Sequence, residues 1–143
     1  MTITRVWQSG FETGSVSEVS GTYGVCGVSG DVKKTGSYSF YYPLNGYGSV
    51  TIPATRQIRV GWYNYPYYHG GEYNHFSVHD ASANELVALE AIGGATPANA
   101  VLEVAGTNQD TEIGAFVWGA WVHWGVDIKI DSSAGWVKIY RNG

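Results

Sequence analysis

The 143-residue chain has one cysteine, Cys26, with no second thiol to pair with, so a disulfide framework is excluded as its source of stability. Charge is sparse as well. Only 14% of residues are charged, and eight Lys plus Arg stand against twelve Asp plus Glu, for a net charge of −4. Without a cationic surplus to neutralise phosphates, nucleic acid is not expected as a partner. Long apolar runs are missing: the stretch around Ile113 to Val126 is broken by Gly114, Gly119, His123 and Gly125, well short of the ~20 residues a membrane helix needs. No membrane partner is expected. The start, MTITRVWQSGFETG, turns polar and Gly-rich before an apolar export segment could form, so no signal peptide is expected. No Asn-x-Ser/Thr acceptor occurs either, and the expectation is synthesis in a reducing host cytoplasm with later release inside an assembled particle.

What is abundant is glycine and aromatic residues: 20 Gly, 11 Tyr and 6 Trp, with aromatics at 15%. Good helix formers are scarce, and this mixture favours strands joined by turns. Val122, Trp124, Val126, Ile128 and Ile130 alternate with Trp121, His123, Gly125, Asp127 and Lys129, the period-two signature of a half-buried strand. Asp131-Ser-Ser-Ala-Gly135 then supplies a turn, and Trp136 to Arg141 resumes the alternation as the second arm of an antiparallel hairpin. Shorter alternations at 37–42, 58–63 and 75–79 read as strands. Further candidates are Ile3 to Gln8, Val25 to Val28, Ser49 to Ile52, Leu86 to Ala91 and Val101 to Val104, spaced roughly ten residues apart by Gly, Pro, Asn and Asp clusters. Ala81 to Ala91 has helix-forming residues, but Val87, Leu89 and Ala91 suit period two, so a strand is expected there. The pattern predicts an all-β, antiparallel two-sheet β-sandwich forming one domain over residues 1–143.

Reactive chemistry is not evident. His75 and His79 lie four residues apart, roughly 13 Å on a strand, too far to reach one metal ion directly, and they read as exposed or hydrogen-bonded strand histidines. Cys26 between glycines reads as a small packing residue. No nucleophile elbow, phosphate loop or dinucleotide glycine pattern occurs. Glu85 and Glu90 fall on opposite strand faces, and Glu103, Asp110 and Glu112 are separated by an expected Gly-Thr-Asn-Gln loop, so the paired acids of a sugar hydrolase are not found. No enzyme activity, cofactor or metal is expected. The candidate binding residues are Trp62, Tyr63, Tyr65, Tyr67, Tyr68 and Tyr73, six rings clustered in a turn-rich segment and too many for one core. Tyr and Trp present flat apolar area with a polar edge, which suits sugar stacking or a protein interface. Charge is segregated: Val32 to Arg59 holds four bases and no acid, whereas Val60 to Ile128 holds eight acids and no Lys or Arg. These blocks either neutralise one another within one molecule or meet across subunits.

Three stretches, Lys34-Thr-Gly-Ser-Tyr-Ser-Phe-Tyr, the strand beginning Trp121-Val-His123, and Gly135-Trp-Val-Lys-Ile-Tyr-Arg-Asn-Gly143, resemble laminin-G-like, concanavalin A-like jelly rolls. The opening Trp7-Gln-Ser-Gly-Phe-Glu12 is similar in style to laminin-G-like proteins of tailed phages, which serve as capsid decorations or tail adhesins. The resemblance implies a jelly-roll topology and a non-enzymatic virion protein, capsid or tail, that contacts other virion proteins or copies of itself. A carbohydrate-binding module or lectin-like adhesin for surface glycans is the alternative. In that family further strands follow the Asn-Gly turn, so the resemblance also implies a last strand beyond residue 143 or one supplied by a neighbouring subunit.

Overall fold

The computed structural model describes residues 8–41, 46–53, 55–66, 73–92, 98–117 and 119–142, with backbone alone at Tyr73, Glu112 and Ile113. Within these residues the chain is all-β. The strands are β1 Gly21–Tyr23, β2 Gly27–Ser29, β3 Ser39–Tyr41, β4 Tyr47–Ser49, β5 Gln57–Asn64, β6 Tyr73–His79, β7 Glu85–Ile92, β8 Ala98–Val104, β9 Thr107–Phe116, β10 Val122–Lys129 and β11 Trp136–Arg141. One 3₁₀ turn, Val16–Glu18, precedes them. Four sheets result, ordered β1-β4, β2-β3, β11-β10-β5 and β6-β7-β8-β9, an arrangement compatible with a β-sandwich. The chain forms two compact units, residues 1–61 with 125–140 and residues 62–124 with 141–143, and the division falls within β5, β10 and β11.

In the first unit β1 and β4 pair antiparallel, as do β2 and β3. Strands this short hold little by themselves, and carboxylates tie the segment before them in place. Glu18 accepts from the Phe11 and Thr13 amides and from the Ser9 and Thr13 hydroxyls, which draws residues 9–13 into a loop and holds its carboxyl below the usual range. Glu12 accepts from the Ser37 amide at 2.8 Å, and Phe11 stacks on Phe40 at 5.1 Å. The turn between β10 and β11 is built on Asp131, which accepts from the amides of Ser133 and Ala134 and from the Ser133 hydroxyl. Those donors pull its pKa down to about 2.

The second unit contains the antiparallel run β6-β7-β8-β9. Asp80 organises the β6–β7 turn by accepting from the amides of Ser82 and Asn84. Val87, Leu89, Ala91, Ala100, Phe116 and Trp124 are buried there. Burying a large apolar side chain contributes roughly 1.5–3 kcal/mol, so Trp124, Phe116 and Leu89 dominate this core.

Val122, Trp124, Val126 and Ile128 are buried as their alternation predicts, and the helix-forming segment before Ala91 is β7. Five expectations need correction. The expected loop at Gly106–Gln109 is only a two-residue turn: Ala105 and Gly106 both take positive φ, 50° and 70°, and β9 starts at Thr107. Both central residues at positive φ match a type I′ hairpin turn. The strand expected over Val25–Val28 is β2, beginning at Gly27, and that over Ser49–Ile52 is β4, ending at Ser49. His75 is not an exposed strand residue, because a register shift between Asn74 and Phe76 leaves it outside the regular pairing, with its ring stacked on Phe116 at 4.0 Å. Asp127, on the polar side of the alternation, is also buried. The expected strand Ile3–Gln8 lies outside the described residues except for Gln8, which is not in a strand.

Candidate functional site

β5 presents Arg59, Gly61 and Tyr63 to solvent and turns Ile58, Val60 and Trp62 the other way. Trp62 is therefore no free platform: it stacks on Phe76 at 5.0 Å, with its Nε1 buried and meeting no acceptor among the described residues. Tyr63 is 54% exposed and its ring tilts over His123 at 4.7 Å. Tyr65 packs against Trp121 at 5.3 Å, and the chain beyond it is fixed by the Gly119 amide donating to the Pro66 carbonyl at 3.0 Å. β5 and β10 are neighbours, so Tyr63–His123 is a ring pair between adjacent strands, and Tyr65–Trp121 is a second pair just beyond the end of β5 and just before the start of β10. Tyr67 and Tyr68 lie outside the described residues, and Tyr73 is described only as the first backbone position of β6, paired with Ala91.

A second aromatic surface lies on the first unit, and the sequence reading did not single it out. Tyr23 and Tyr47, directly opposed across β1 and β4, stack at 5.2 Å while remaining 62% and 56% exposed. Val25 follows at 75% exposed, and Tyr41, paired with Gly27, is half exposed. Cys26 sits among them, its thiol 3.2 Å from the Tyr23 carbonyl and 3.5 Å from that of Tyr47. The available signal was local: Tyr47 has glycine on both sides and Tyr23 precedes one, so neither ring has adjacent bulk to cover it.

Arg59, Asp127 and His79 are engaged in structural contacts. Arg59 Nε and Nη2 donate to the two oxygens of Asp127 at 2.6 and 2.5 Å, and the Tyr140 hydroxyl donates to the same carboxylate. The Arg59 guanidinium is the main reason the Asp127 carboxyl is held below its usual range. His79 contacts the Ser77 hydroxyl at 2.9 Å and lies 3.9 Å from Glu85. No group of three or more His, Cys, Asp and Glu among the described residues is placed to hold a metal ion. The charge segregation follows the units. The first carries seven Lys and Arg against five Asp and Glu, a balance of +2; the second carries seven Asp and Glu against Arg141 alone, a balance of −6.

Comparison with protein-family models, curated proteins and solved structures finds no match to this chain.

Proposed function

We propose that the chain is a non-enzymatic module that works through protein–protein contacts, as a structural or decoration component of a phage virion. The observation that carries the contact reading is the Tyr23–Tyr47 stack, left facing water in a unit that also exposes Val25 and Tyr41. Clustered exposed apolar residues mark interaction surfaces, and tyrosine is among the residues that contribute most to binding. The virion setting and a laminin-G-like jelly-roll topology rest on the sequence resemblance. Supporting the topology are the strand β10 directly after Trp121 and the strand β11 leading to Asn142, which turns at a φ of 56°. The test is co-sedimentation of tagged protein with particles assembled from the genes that neighbour its own. Wild type should pellet with the particle and Tyr23→Ser/Tyr47→Ser should not; failure of wild type to pellet overturns the reading.

The ring pairs Tyr63–His123 and Tyr65–Trp121 favour a second reading, a carbohydrate-binding surface. Stacking predicts that glycan-array binding by wild type is lost in Tyr63→Ala/Tyr65→Ala and kept in Tyr23→Ser/Tyr47→Ser.

A further inference from the structure

We infer that the solvent face of the sheet β11-β10-β5 carries, within the first unit, a binding site for a carboxylate-bearing sugar, a uronic acid residue of an acidic glycan. The inference takes its ligand type from the carbohydrate reading above and rests on residues other than the Tyr63–His123 and Tyr65–Trp121 pairs. Arg59, Asp127, Lys138 and Tyr140 all belong to the first unit. Nε and Nη2 of the Arg59 guanidinium are engaged by Asp127, whose side chain is only 9% exposed, while the Arg59 side chain stays 67% exposed. A covered carboxylate thus fixes an arginine whose Nη1 meets no acceptor among the described residues.

Two neighbours complete the face. The Tyr140 hydroxyl donates to the same carboxylate, and its ring, 42% exposed, leans on Gly125, with Cβ and Cδ2 3.7 Å from where a Cβ would stand on that glycine. One anion therefore holds a guanidinium and a phenol ring side by side. Lys138, exposed and two residues before Tyr140 on β11, shares its side of the strand, with its ammonium 5.1 Å from the centre of the Trp136 ring. Arg59 and Lys138 against Asp127 leave a balance of +1, and Lys129 is matched by Asp131 at 3.6 Å. Outward cations above a covered acid favour an anion, and the open end of a planar guanidinium takes both oxygens of a carboxylate. A uronic acid carries that carboxylate and a flat apolar face on one rigid ring, which matches a fixed arginine beside a fixed tyrosine. The Asp or Glu side chain of a peptide brings the anion without the flat face.

Titration calorimetry at low ionic strength tests this with a galacturonic acid trisaccharide, a neutral galactose trisaccharide of the same linkage and a short polyglutamate. Wild type should bind the acidic sugar at least about tenfold more tightly than either of the others. Arg59→Lys keeps a charge toward Asp127 but loses the fork, and Lys138→Ala removes the second cation. Each should weaken binding at least about fivefold with unchanged circular dichroism and melting temperature. Lys33→Ala, which removes the same charge from the residues joining β2 and β3, should bind as wild type does. Should Arg59→Lys disturb the fold, Lys138→Ala decides alone. A wild type that ignores the acidic sugar, binds polyglutamate as tightly, or is equalled by the Arg59 and Lys138 variants overturns the inference. Neutral glycans bound on the array and lost in Tyr63→Ala/Tyr65→Ala, beside no binding of the acidic trisaccharide, overturn this site alone and leave the carbohydrate reading standing.

Discussion

His75 is folded away as the neutral imidazole, because a charge on a ring stacked against Phe116 would sit where water cannot reach it. Burial pushes its pKa down to about 3, against an ordinary value of 6.5. The unfolded chain therefore takes up the proton first on acidification. This contribution to stability is complete above about pH 6.5 and drains away as pH falls toward 3. Lowering the pH from 7 to about 4.5 should cost a few kcal/mol through this group alone, in a range where the lowered carboxylates of Asp131 and Asp127 are still ionised. Thermal melts at the two pH values should show that loss in wild type and a clearly smaller one in His75→Phe. At Gly36 the constraint is steric: φ is +69°, and an added Cβ would lie 1.7 Å from a Glu12 oxygen. Gly36→Ala should lower stability by about 1–3 kcal/mol in denaturant titrations. Adding Glu12→Ala should recover only the clash, leaving the backbone strain.

The turn between β8 and β9 is where a single substitution should improve an element. Ala105 holds φ at 50°, where alanine is strained and asparagine is tolerated. Ala105→Asn should raise stability by about 0.5–1 kcal/mol, read as a shift in the denaturation midpoint. The same turn explains why part of the fold was hidden in the sequence. β10 was legible because one of its faces is buried, which writes Val122, Trp124, Val126 and Ile128 into alternate positions. β9 is an edge strand exposed from Thr107 to Thr111, so it has no alternation to read, and Ala-Gly is a weaker turn signal than Asn-Gly. The aromatic segment after Trp62 was legible as a concentration of rings, but composition does not say which rings are covered: Trp62 packs on Phe76 and Tyr63 faces outward. Tyr23 and Tyr47 escaped notice because they lie 24 positions apart in sequence and meet only through the β1–β4 pairing. Between β5 and β10, Arg59→Ala strands a buried carboxylate and should destabilise more than Arg59→Ala combined with Asp127→Asn, as a double-variant cycle would reveal.

At the level of the whole molecule the chain makes many of its pairings late in sequence. Arg59 and Asp127 are 68 residues apart, and Ser20 reaches across 31 residues to the amide of Thr51. Closing such loops costs entropy before any contact compensates, so refolding followed by tryptophan emission should take milliseconds to seconds. A microsecond phase carrying the full amplitude would contradict that expectation. The lone thiol has a practical use of a different kind. Cys26 is the one sulfhydryl in the chain, partly accessible and seated between the carbonyls of two outward-facing tyrosines. A small environment-sensitive dye attached there would be a built-in reporter, shifting colour whenever those rings leave water for a neighbour.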